Sequence, residues 1–96
     1  MIIGVPKEIK PDEYRVSLIP VGVEEMAKRG HSVLVEKGAG SGSGIHDREY
    51  EKAGARLVVN PREIYSQAQL VIKVKEPLPE EYVLLREDQI IFTFFH

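Results

Sequence analysis

Three cationic side chains follow apolar runs in this chain: Arg15 after MIIGV, Lys75 after LVIKV and His96 after IIFTFF. If those runs are parallel strands of one sheet, all three lie toward its carboxyl edge, where open α/β sheets bind ligands. A guanidinium is the planar, two-pronged partner of a carboxylate. An ammonium turned into the same crevice would donate to a substrate oxygen, and an imidazole accepts and returns a proton near neutral pH. Together they describe a site for a small keto or amino acid.

Each residue also has a plainer reading. Arg15 sits in the charged stretch KEIKPDEYRVSL and could simply be solvated, although Tyr14, Val16, Leu18 and Ile19 beside it point to a loop packed on the protein. In VIKVKEPLP, alternation puts Lys73 and Lys75 on one face and Val74 on the other, as on an edge strand whose lysines discourage pairing. His96 could be a structural histidine. His31 and His46 have no metal-ligand spacing with each other or with His96. Glu8, Asp12, Glu13, Glu80 and Glu81 read as solvated loop or early-helix acids and receive no chemistry, except that Glu8 could orient Arg15 or a neighbouring lysine.

The elements that must position these groups alternate between short β-rich runs and helix-length segments, the pattern of βαβ units. Strands are expected at Met1–Val5, Ser32–Val35, Arg56–Val59, Leu70–Val74 and Ile90–Phe95. Helices are expected at Pro20–Arg29, closed by Gly30, and at Asp47–Ala53, capped by Asp47. Asn60-Pro61-Arg62-Glu63 is the clearest helix start: Asn caps, Pro takes the first turn, and Glu reaches back to free N–H groups. That helix runs to about Gln67, and a shorter one covers Glu80–Leu85. Five strands with crossovers between them make an α/β fold, a five-stranded mostly parallel Rossmann-like (flavodoxin-like) sheet with flanking helices and right-handed connections.

Composition narrows the function classes. Of the 96 residues, 43% are apolar and 29% charged, with a formal net charge of −2. That balance argues against a nucleic-acid surface. No apolar run approaches the ~20 residues that cross a bilayer, and MIIGV is broken at once by Pro6, Lys7 and Glu8, so it is not a signal peptide. Without cysteine there is no disulfide framework, thiolate metal site or thiol nucleophile. A cytoplasmic, metal-independent protein is expected. The closing run IIFTFFH has no polar tail, which reads as the end of a fragment whose apolar surface further sequence would cover.

The stretch GAGSGSG at 38–44 follows a strand and precedes a helix, as a dinucleotide fingerprint does. The spacing fails: from Gly38 and Gly40 the third glycine should fall at 43, which is Ser, and from Gly40 and Gly42 at 45, which is Ile. It is expected to be a permissive loop folded over the sheet edge rather than a phosphate cradle.

Taken together, MIIGVPKEIK, EYRVSLIP, GHSVLVEKGAG, AGA and IKVKEPLPEEY resemble the opening of the alanine dehydrogenase family, nearly collinearly from residue 1 to 96. The resemblance implies that residues 1–96 are the amino-terminal part of the substrate domain of a two-domain enzyme. The NAD-binding domain and a catalytic aspartate would then lie in later sequence absent from this chain. It further implies reversible NAD-dependent oxidative deamination of L-alanine to pyruvate and ammonium. Arg15 would grip the substrate carboxylate, Lys75 would bind the substrate oxygen, and His96 would be the catalytic proton carrier. Cofactor-binding residues would be absent from this stretch, no metal, nucleic acid or membrane would take part, and the full protein would form a homo-oligomer, a hexamer by family habit. Two relatives share the pattern in part. The NAD-binding subunit of proton-translocating transhydrogenase typically lacks both KVKEP and the histidine. A saccharopine-dehydrogenase-like enzyme fits the GVPKE start and the glycine loop less well.

Overall fold

A computed structural model gives the architecture and describes residues 1–94. Five strands, β1 (Ile2–Val5), β2 (Ser32–Glu36), β3 (Arg56–Val58), β4 (Leu70–Lys73) and β5 (Ile90–Thr93), form one parallel sheet in the order β3-β2-β1-β4-β5. The helices are α1 (Pro20–Lys28), α2 (Asp47–Lys52), α3 (Pro61–Gln67) and α4 (Pro79–Tyr82), with a 3₁₀ turn at Ser41–Ser43. The chain starts in the middle of the sheet, builds outward through β2 and β3, then returns to the other side of β1 with β4 and β5.

Both faces of the central strands are apolar because both are covered. Ile3, Val5, Val33, Val35 and Ile72 pack with Val23 of α1 and Tyr50 of α2 on one face. Leu34, Val58 and Val71 pack with Ile64 and Tyr65 of α3 on the other. β5 is the exception. Ile90, Phe92 and Phe94 alternate onto one face and remain about half exposed (55%, 52% and 53%), while Ile91 tucks against the α3 cluster.

The helix starts follow local chemistry. Asn60 Oδ1 accepts the Glu63 N–H at 3.2 Å and Glu63 Oε1 accepts the Val59 N–H at 3.1 Å, so α3 opens with the reciprocal capping expected of it. α2 differs by one residue. His46, not Asp47, is the N-cap, and its N–H donates to Glu49 Oε2 at 2.8 Å. Asp47 Oδ1 instead accepts the Gly38 N–H at 2.9 Å, so its carboxylate ties the glycine loop down rather than capping its own helix. α4 is shorter than the expected Glu80–Leu85, because Leu84 and Leu85 donate only to the carbonyls three residues back, at 3.0 and 3.2 Å, and the turn tightens. The last expected strand residue, Phe95, lies outside the described residues.

α3 lies close enough to the sheet that residue 4 has to be glycine. A Cβ at Gly4 would sit 2.6 Å from Ile64 Cγ2 and 2.9 Å from Ala68 Cβ. Gly4→Ala should therefore cost about 1–3 kcal/mol by overpacking, read as a lower denaturation midpoint at unchanged slope. In combination with Ile64→Ala the loss should be smaller than the sum of the two single variants.

Candidate active site

β1 and β4 are neighbours, and the connections leaving them run to opposite sides of the sheet. Their carboxyl ends thus frame a topological switch point, the crevice where such sheets bind ligands. β1 feeds the long connection 6–19, which carries Glu8, Glu13 and Arg15, and β4 feeds Val74 and Lys75.

That connection has little secondary structure, so its conformation is set by bonds to the rest of the protein. Lys7 N–H donates to Glu36 Oε1 at 2.9 Å at its start. Ser43 Oγ, at the end of the glycine loop, donates to the Tyr14 carbonyl at 2.8 Å. Ser17 Oγ donates to the Ile72 carbonyl at 2.7 Å, and Tyr50 Oη donates to the Leu18 carbonyl at 2.7 Å. Burial pushes the Tyr50 phenol up to about 12, so it stays a donor at any ordinary pH. The glycines at 38–44 serve this packing. A Cβ at Gly42 would meet the Tyr14 carbonyl oxygen at 2.8 Å, and one at Gly40 would meet Ile45 Cβ at 2.8 Å and Tyr50 Cε2 at 2.9 Å. These glycines let two loops touch.

Between the two loops is a pocket of about 270 Å³ lined by Lys7, Glu8, Glu13, Tyr14 and Arg15 and, from the glycine loop, Gly38, Ala39, Ser41 and Gly42. Arg15 is at its mouth with a largely exposed side chain, gripping the carboxylate of Glu13: Nε to Oε2 and Nη2 to Oε1, both 2.9 Å, with the Arg15 backbone N–H also on Oε2 at 2.9 Å. The Arg15 hydrogen bond, opposed by some burial and helped in smaller measure by the Lys75 ammonium, holds the Glu13 carboxyl down at about 2. Arg15 and Lys75 are thus brought within electrostatic reach of one carboxylate. His96 lies outside the described residues.

The lysine of β4 reads differently from the edge-strand expectation. β4 is an interior strand between β1 and β5, and Lys73 is 1% exposed. Its ammonium sits between two buried carboxylates, 3.2 Å from Glu8 Oε1 and 3.4 Å from Glu81 Oε2. Tyr65 Oη donates to the same Glu81 oxygen at 3.0 Å, and burial, reinforced by that carboxylate, raises its phenol far above the usual range. Glu8 takes two further bonds, from Val74 N–H at 2.9 Å and Lys75 N–H at 3.2 Å. Glu8 is thus not a solvated loop acid, being 8% exposed, and Glu81 lies in the first turn of α4 as an early-helix acid but is 3% exposed and paired. The missed signal was a lysine inside an otherwise apolar strand: a central strand cannot bury an ammonium without carboxylates to receive it.

A doubly wound α/β unit with a carboxylate-gripping arginine at its switch point is the class of protein defined here. The chain belongs to the family described as "Alanine dehydrogenase/PNT, N-terminal domain", whose profile matches residues 4–96. It is 54% identical over its whole length to the alanine dehydrogenase of Bacillus subtilis and 52% identical to that of Methanococcus maripaludis. It spans only 25% and 26% of those proteins. A solved L-alanine dehydrogenase superposes over 100% of this chain and 26% of its own with a TM-score of 0.95 at 48% identity. A transhydrogenase from Sinorhizobium meliloti does so over 97% of this chain and 27% of its own, at 0.89 and 35%. Among the described residues no helix is long and apolar enough to cross a membrane.

Two outcomes are expected. Because the Glu13 carboxyl is depressed to about 2 from the ordinary 4.5, its contact with Arg15 stabilises the fold fully above pH 4.5 and is lost as the pH falls toward 2. Carboxyl NMR titration should find Glu13 ionising near 2, and Arg15→Ala should return it toward 4.5. Lys73→Met leaves two buried carboxylates without their cation and should cost about 3–5 kcal/mol, measured by denaturant titration.

Proposed function

We propose that this chain is the amino-terminal part of the substrate domain of an NAD-dependent alanine dehydrogenase. The full protein would oxidise L-alanine with NAD and water to pyruvate, ammonium and NADH, and run the reverse reaction as reductive amination. The observation that carries this reading is Arg15: at the switch-point pocket its guanidinium already holds a carboxylate in two-pronged fashion. With the Nε side held by Glu13, the opposite edge of the guanidinium is oriented for a second carboxylate, that of alanine or pyruvate. Lys75 would donate to the substrate oxygen and stabilise charge as the carbonyl forms or is attacked. His96 would move protons as water adds to the imine and ammonia leaves.

NAD would supply the hydride acceptor and be held by sequence beyond this chain, in a cytoplasmic homo-oligomer. The likeness to a transhydrogenase favours a second reading, hydride transfer between nicotinamides, which needs no grip on an amino acid. Kinetics of the full-length protein separate the two. Lys75→Ala or His96→Ala should nearly abolish alanine oxidation while NAD binding survives. Arg15→Lys replaces a fork by a point charge and should raise KM for alanine on the order of tenfold. Absence of alanine oxidation in the wild-type full-length protein, with hydride transfer between nicotinamides in its place, would favour the transhydrogenase reading, whereas unchanged alanine kinetics in all three variants would remove these residues from the site. The 96-residue chain alone should reduce no NAD with L-alanine.

A further inference from the structure

We infer that Glu8 is a positioning residue for the reaction, setting the place of Lys75 through the backbone. This rests on the reading of Lys75 as a substrate-binding group. Glu8 leaves the end of β1 and crosses the switch point to the end of β4, where its two oxygens receive three donors. Oε2 accepts Val74 N–H at 2.9 Å. Oε1 accepts both Lys75 N–H and the Lys73 ammonium, each at 3.2 Å. β4 ends at Lys73, and Val74 and Lys75 follow it at the strand end. The carboxylate takes over at that point and fixes the two amides from which the Lys75 side chain departs.

Its direction is fixed in turn by Lys73, which Glu81 holds from the far side at 3.4 Å and whose side chain is 1% exposed. Tyr65 Oη, at 3.0 Å, completes Glu81. The same Glu8 side chain also lines the pocket that Arg15 opens onto. One buried carboxylate therefore links the core ion cluster, the pocket wall and the backbone that aims the substrate lysine. Other charged groups near the cluster, among the described residues, include Glu36, whose carboxyl is raised mainly by burial, Lys7 beside it, and Glu13 with Arg15 at the mouth.

The chemistry of the three donors makes the proposal testable in the full-length enzyme. Glu8→Gln keeps size and burial but presents an N–H₂ to one of these donors, so either the Val74 amide or the Lys75–Lys73 pair loses its acceptor. Alanine oxidation by Glu8→Gln should lose at least tenfold in kcat with KM for NAD unchanged. Val58→Ala, in the remote cluster over α3, serves as a stability control and should keep kcat per folded protein. In Glu8→Gln/Lys75→Ala the loss in kcat/KM should be little larger than in Lys75→Ala alone, since both act through one group.

If the effect of Glu8→Gln persists in full on top of Lys75→Ala, Glu8 does not act through Lys75 and the inference is wrong. Wild-type kcat in Glu8→Gln would also overturn it. High activity in Lys75→Ala alone would instead remove the underlying reading of Lys75, and the inference with it. Should Glu8→Gln fail to fold, Glu8→Asp keeps the charge and withdraws it by one methylene. It should show the same kcat loss, with faster hydrogen exchange at the Val74 and Lys75 amides, and retention of both wild-type rates would refute the proposal.

Discussion

Burying the Lys73 ammonium in the middle of the sheet is the constraint on which the rest of the structure turns. An unpaired ammonium there would cost far more than a small domain's stability, so the surrounding sequence has to deliver anions to it. Glu8 arrives from the end of β1 and Glu81 from α4, at 3.2 and 3.4 Å. Those two contacts fix where the β1 connection begins and where α4 docks. α4 has only four helical residues, too few to hold itself together by its own hydrogen bonds. Its seat is the Glu81 contact with Lys73 and Tyr65, together with Leu84 on the α3 cluster.

The loop of the candidate site is ordered by a second set of contacts. Residues 6–19 bury Pro6 and pack Val16 and Leu18 against the core but are otherwise mostly exposed. What orders them is a series of side chain to backbone bonds, each from a different element: Glu36 of β2, Ser43 of the glycine loop, Tyr50 of α2, and Ser17 reaching β4. Such bonds contribute about 0.5–1.5 kcal/mol each, so no single one decides the loop. Their joint effect is to place Arg15 above the end of the neighbouring strands. The glycines of 38–44 belong to this arrangement because any Cβ at Gly42 would push Tyr14 away, and Arg15 with it.

The sequence was most legible where structure depends on neighbours in the chain. Helix α3 could be placed from Asn60, Pro61 and Glu63 because capping is settled within four residues. The strands followed from short apolar runs between helix-length segments, and all five are parallel members of one sheet. Arg15, singled out as a partner for a substrate carboxylate, pairs in the fold with Glu13 two residues away. Less legible was anything decided between residues far apart in the chain. Glu8 and Lys73 are separated by 65 positions, and no local pattern announces that they meet. Alternation placed Lys73 and Lys75 on one face but could not say that β4 lies inside the sheet, which depends on β5 adding beyond it. Asp47 looked like a helix cap because its partner, the Gly38 amide, lies across a loop.

The two ion pairs near the switch point share a chemistry and differ in environment. The Arg15 side chain is 66% exposed although that of its partner Glu13 is only 5% exposed, so the guanidinium is open to solvent on one side. Glu8 and Lys73 are 3% and 1% exposed at their side chains, where removing one partner costs about 3–5 kcal/mol. That pair cannot exchange with a ligand, but it can hold the strand ends beneath one. Exposure at Arg15 leaves one pair open to solvent, while burial of both partners closes the other beneath it.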